Sequence, residues 1–85
     1  MHEYLLIVSS PDGELFREEV TALFVRGVEG DLAILAGHTP FVTTVKPCDV
    51  RIVKADGEEV TGKTGGGILS VSSDKVIFLS GNFEM

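Results

Sequence analysis

Tryptophan is absent from this chain of 85 residues, and cysteine occurs once, at Cys48. A lone thiol cannot close an internal disulfide. That excludes the disulfide-stapled scaffolds common among small secreted domains and favours a reducing compartment. Positive charge is scarce as well: seven Lys and Arg stand against 13 Asp and Glu, for a formal net charge of −6. Nucleic acids and bare anionic bilayers are held by clustered Lys and Arg, so neither suits this composition, whereas a basic protein surface does. No apolar run approaches the roughly 20 residues of a transmembrane helix. The opening MHEYLLIV has no basic leader and is too short for a signal core. Any membrane association is therefore expected to run through a partner rather than by direct insertion.

Sustained helical periodicity is also missing. What recurs is short apolar or alternating runs: YLLIV (4–8), ELF (14–16), VTALFV (20–25), LAIL (32–35), FVTTV (41–45), VRIV (50–53), EEVTGKT (58–64), ILSV (68–71) and VIFL (76–79). Turn formers separate them, among them Pro11-Asp12-Gly13, Gly37-His38-Thr39-Pro40, Pro47 and Gly65-Gly66-Gly67. Asp56-Gly57 is a two-residue hairpin signal, because both residue types tolerate positive φ. Short strands at this spacing, filled with β-branched and aromatic residues, predict an all-β fold. The expected architecture is a flattened β-sandwich or barrel of about eight to ten short strands, in one domain spanning 1–85.

Several runs (YLLIV, ALFV, LAIL, VIFL) are apolar at consecutive positions. A half-exposed strand should alternate with polar residues, and a chain this small buries only roughly 60% of its unfolded surface. Some of these side chains must therefore either cover one another at sandwich corners or form a permanent protein interface on one sheet.

Three catalytic or binding patterns fail on inspection. Residues 57–64, GEEVTGKT, match the phosphate-loop spacing G-x-x-x-x-G-K-[ST]. A working phosphate loop opens a helix, and here Gly65-Gly66-Gly67 follows, while Glu58 and Glu59 would put carboxylates where phosphates belong. The segment is read as the second strand of a hairpin. His38 and Cys48 could serve as base and thiol nucleophile, with Asp31 or Asp49 orienting the histidine, but nothing in the sequence brings them together. His2, His38 and Cys48 lack zinc-ligand spacing. No catalytic, cofactor or metal residue is assigned. The glycine triplet reads as a bulge or a close chain approach. A stand-alone sandwich that binds a small ligand would need an aromatic-lined pocket, and the one tyrosine and five phenylalanines are dispersed along the chain.

Taken together, G-x-EGDL-x-IL-x-GH-x-P from Gly27, VKP from Val45, VRIV from Val50 and GGGILSV from Gly65 resemble the epsilon subunit of F-type ATP synthases. The stretch VSSPDGELF, from Val8 to Phe16, fits the first hairpin of that family. The resemblance implies an N-terminal β-sandwich that in the family precedes a C-terminal helical hairpin, for which this sequence has no counterpart. It implies a non-catalytic rotor subunit of the central stalk, which packs on gamma, rests on the c-ring and associates only indirectly with the catalytic head. It also implies a peripheral place on the cytoplasmic face of a bacterial plasma membrane, or on a plastid thylakoid. By the family pattern, Glu29, Gly30 and Asp31 belong to the loops meeting arginine-bearing c-ring loops. His38, Phe41 and Thr43 match the gamma contact, with Pro40 restricting Thr39 so that the turn is rigid. Cys48 stands where the family usually has glycine, so the backbone there is expected to need no glycine-only conformation.

Overall fold

The computed structural model describes residues 3–37 and 39–85, and every regular element in it is a strand. In chain order these are β1 (Tyr4–Ser10), β2 (Gly13–Gly27), β3 (Gly30–Leu35), β4 (Phe41–Val45), β5 (Cys48–Lys54), β6 (Glu59–Thr64), β7 (Gly67–Val71), β8 (Lys75–Ser80) and β9 (Phe83–Glu84). All nine strands form one continuous sheet folded into two layers. The first half of β2 lies with β1, β8, β7 and β4, and the second half lies with β3, β5, β6 and β9. Gly27 at the end of β2 pairs with Val45 of β4 where the layers meet. Pairing is antiparallel except between β1 and β8, which run parallel. The all-β sandwich expected from the sequence is the fold observed.

β2 makes the two layers possible. ELF and VTALFV read as two strands, yet the charged stretch Arg17-Glu18-Glu19 between them stays paired with β1, so both belong to one strand of 15 residues. Val20 lies opposite Lys54 and Ala22 opposite Val53, which leaves Thr21 as an extra residue. An extra residue reverses the facing of everything after it. Phe16 and Val20 face the core before the bulge, and Leu23 and Val25 face it afterwards. One strand thus supplies inward side chains to both layers.

The core is built from Leu6, Val8, Leu69 and Phe78 of one layer against Leu23, Ile34, Val50 and Ile52 of the other, all essentially solvent-free. Each such side chain contributes about 1.5–3 kcal/mol through burial. Phe83 of β9 meets Phe78 edge-on, with ring centres 6.1 Å apart, and closes one flank.

Three hairpin turns share one chemistry: Pro11-Asp12-Gly13, Val28-Glu29-Gly30 and Ala55-Asp56-Gly57 each end in a glycine of positive φ. Among the described residues no other residue type adopts positive φ, so the Asp56-Gly57 turn is not the two-residue form that the sequence suggested. Gly57 N–H instead donates to the Lys54 carbonyl at 2.9 Å, and the Asp56 carboxylate accepts from Glu58 N–H at 2.9 Å. The glycine alone takes the strained conformation, and the aspartate stabilises the turn through its side chain.

Contacts between loops show that five turns share one end of the sandwich. Ser9–Pro11 lie against Leu79–Gly81. Gly65 N–H donates to the Asn82 carbonyl at 2.8 Å, Gly66 abuts Val45 and Pro47, and Lys46 N–H donates to the Arg26 carbonyl at 2.9 Å. The turns after β1, β2, β4, β6 and β8 therefore form a rim. The strand registers put the start of β4 and the β5–β6 and β7–β8 turns at the opposite end.

Candidate functional site

The residues expected to contact partners fall at these two ends. Val28 and Glu29 form the β2–β3 turn at the rim, Gly30 opens β3 opposite Gly27, and Asp31 follows it in β3. Val28 is exposed beside Glu29, so the tip of the corner is part apolar. Asp31 already has a partner: Arg26 lies opposite it across the ladder, and Arg26 Nε donates to Asp31 Oδ1 at 2.9 Å. That bond and the adjacent charge raise the guanidinium pKa above its ordinary value. Glu29 makes no ion pair among the described residues.

Phe41 and Thr43 lie at the other end, on β4. They pair with Val71 and Leu69, share their core-facing side and are half-buried. His38 lies outside the described residues. That also leaves the combination of His38 with Cys48 beyond description, although Cys48 itself is half-buried and its Sγ accepts a 3.4 Å hydrogen bond from Arg26 N–H.

The sequence did not single out the outward side of β4 and its neighbours. Val42, Ile68 and Leu79 are exposed by 69%, 50% and 54%. Val42 lies opposite Ser70, Thr44 opposite Ile68 and Ile68 opposite Leu79, so the three occupy one outer face as diagonal and direct neighbours. Ile77 continues the patch on β8, opposite Ser70. The consecutive apolar residues of ILSV and VIFL were the signal, since half of each run had to face outward. Which layer gathers them depends on long-range register, and a single sequence does not carry that.

The look-alike phosphate loop is a strand. β6 pairs with β5 along its length, with Lys63 exposed opposite Asp49. The glycines after it serve packing. An added Cβ at Gly67 would stand 2.1 Å from the Leu79 carbonyl oxygen. Thr64 and Ser80, both buried, bond to each other at 2.7 Å beneath this turn, and Gly66 N–H donates to the Thr64 hydroxyl at 3.0 Å. At the far end, Lys54 (19% exposed) lies 3.0 Å from Glu18 and 3.6 Å from Glu58, and the bond to Glu18 raises its pKa. Among the described residues no three His, Cys, Asp or Glu side chains are grouped to hold a metal ion, and no helix is long and apolar enough to cross a membrane.

Known proteins agree with this geometry. A chain named ATP synthase epsilon chain from Clostridium kluyveri is 35% identical over 74 residues, covering 87% of this chain and 56% of the relative. One of the same name from Dichelobacter nodosus is 38% identical over 77 residues, covering 91% and 54%. The chain thus spans about half the length of these relatives. Among solved structures, it superimposes on a chain of the Euglena gracilis mitochondrial ATP synthase (OSCP/F1/c-ring) with a TM-score of 0.89 at 24% identity, covering 95% of this chain and 52% of that one. It superimposes on a chain of the Tetrahymena thermophila mitochondrial ATP synthase central stalk and c-ring with a TM-score of 0.80 at 15% identity, covering 96% and 66%. At those identities the likeness concerns the fold. The family described as ATP synthase, Delta/Epsilon chain, beta-sandwich domain matches residues 3–85, and this chain belongs to it.

Proposed function

We propose that residues 1–85 form the sandwich domain of a non-catalytic central-stalk subunit of an F-type ATP synthase. In this reading the domain is part of the rotor. It links gamma to the membrane c-ring and so helps couple proton transport to ATP synthesis, with no active site, cofactor or metal of its own. It is peripheral to the membrane, on the cytoplasmic face, and reaches the catalytic head only through its partners.

The observation that carries this reading is the apolar patch of Val42, Ile68 and Leu79. A small sandwich that worked alone would gain nothing from three large apolar side chains clustered on one outer face, whereas a permanent partner removes them from water. Gamma is assigned to this face together with the β3–β4 turn and β4, which carry His38, Phe41 and Thr43. The c-ring is assigned to the rim corner of Glu29, Gly30 and Asp31, where the charge balance suits a cationic surface. The start of β4 lies at the end away from the rim corner, and the apolar face runs from Val42 along β7 and β8 to Leu79 beside the rim. The two assigned surfaces are therefore distinct but not confined to opposite ends.

The test is capture of gamma. Val42→Asp with Leu79→Asp places two charges on the patch without touching the core. The pair is expected to abolish co-purification with gamma while the strand signal in circular dichroism is unchanged. Undiminished capture by this variant would remove gamma from this face.

A further inference from the structure

The corner assigned to a cationic partner carries its own cation. Arg26 faces Asp31 across the ladder at 2.9 Å. Its backbone is held from the other side, the N–H by Cys48 Sγ at 3.4 Å and the carbonyl by Lys46 N–H at 2.9 Å. The guanidinium therefore starts from a fixed point on the rim. Both side chains of the pair are exposed, by 61% and 80%, so the pair adds little to stability. What it changes is the charge shown to a partner. From Arg26 to Asp31 the chain holds one cation and two carboxylates, and the cation is spent on Asp31. Glu29, at the tip, keeps the carboxylate that has no internal partner among the described residues.

We infer that Arg26 is a specificity-determining residue of the corner: it masks Asp31 and holds attachment to the cationic partner below its attainable strength, leaving Glu29 as the main attractive charge. This rests on the docking of the corner proposed above. It gives Arg26 a sign opposite to that of an ordinary contact residue, because removing it should tighten the attachment.

The experiment uses the assembled complex and follows retention of the catalytic head on membranes as ionic strength rises. The variants are Arg26→Gln, Glu29→Gln, Asp31→Asn and the double variant Arg26→Gln with Asp31→Asn. Capture of gamma by each variant confirms folding. Arg26→Gln is expected to strengthen retention at low salt by about two- to fivefold and to steepen its salt dependence, since one carboxylate is unmasked. Glu29→Gln and Asp31→Asn should each weaken retention, the first by removing the main attractive charge and the second by leaving an unpaired arginine beside it to face the cationic surface. The double variant should return close to the parent, with the same net charge at the corner. A merely structural role for Arg26 would not move the salt dependence. The inference is overturned if Arg26→Gln loosens attachment, or if the double variant is no better than Asp31→Asn. If Glu29→Gln and Asp31→Asn both leave retention unchanged at low salt, the docking of the corner fails, and the role of Arg26 fails with it.

Discussion

The Tyr4 hydroxyl donates to the Ile34 carbonyl at 2.7 Å, from β1 of one layer to β3 of the other. It is a buried bond between elements 30 residues apart in sequence, and it pins the edge strand that carries Asp31 against the opposite layer. Burial raises the phenol pKa well above its ordinary value of 10.0. The folded state therefore keeps its proton where the unfolded state loses it. Stability from Tyr4 is fully present below pH 10 and declines as pH rises beyond it, by about 1.4 kcal/mol per pH unit. Tyr4→Phe should cost about 1 kcal/mol at neutral pH through the lost bond. It should also flatten the alkaline fall. Urea unfolding of both proteins between pH 7 and 11.5 checks this, and parallel curves above pH 10 would contradict the assignment.

Gly67 tests the reading of the glycine triplet. Gly67→Ala would force a methyl group to within 2.1 Å of a backbone oxygen, which no side-chain rotation relieves. Gly81→Ala is the control, since an added Cβ there meets nothing within 4 Å and φ is not positive. Gly67→Ala is expected to cost about 3 kcal/mol or more and to lower Tm by more than about 10 °C, with little change for Gly81→Ala. Equal melting temperatures would mean that the triplet is not a close chain approach.

The sequence revealed strands better than connections. FVTTV, VRIV, ILSV and VIFL each fall within an observed strand, because strong local β-propensity needs no distant help. β2 was missed as a single element, since Arg17, Glu18 and Glu19 look like a loop until their pairing with β1 supplies the backbone partners. The two residues of β9 carry no propensity signal of their own and are held by Lys63 and Thr64. Of the candidate site, the corner was legible from its motif. Its internal neutralisation by Arg26 was not, because Arg26 and Asp31 are brought together by the turn register. The outer patch needed three non-sequential strands in register, so composition announced surplus apolar surface without its address.

Lys63 is the decisive residue of the phosphate-loop look-alike. As an exposed strand side chain it should be dispensable: Lys63→Ala is expected to change stability by less than about 0.5 kcal/mol. Titration with ATP should give the same response in parent and variant. Tight ATP binding that vanishes on substitution would restore the nucleotide reading.

Reversing the corner is the strongest test of the docking on the c-ring proposed above. Glu29→Lys with Asp31→Lys turns two carboxylates into two cations beside Arg26, so three like charges would face a cationic surface. Like-charge juxtaposition across an interface costs several kcal/mol, against at most about 1 kcal/mol for losing an exposed pair. Both residues are exposed and lie at a turn or strand start, so the sandwich should fold and still capture gamma. The catalytic head should detach more readily from membranes and proton-coupled ATP synthesis should fall, most clearly at low ionic strength where screening is weak. Soluble ATP hydrolysis by the released head should be nearly unaffected, because no step of that chemistry is assigned to this chain. Normal coupling at low salt in a variant that folds and binds gamma would separate the acidic corner from the membrane contact altogether.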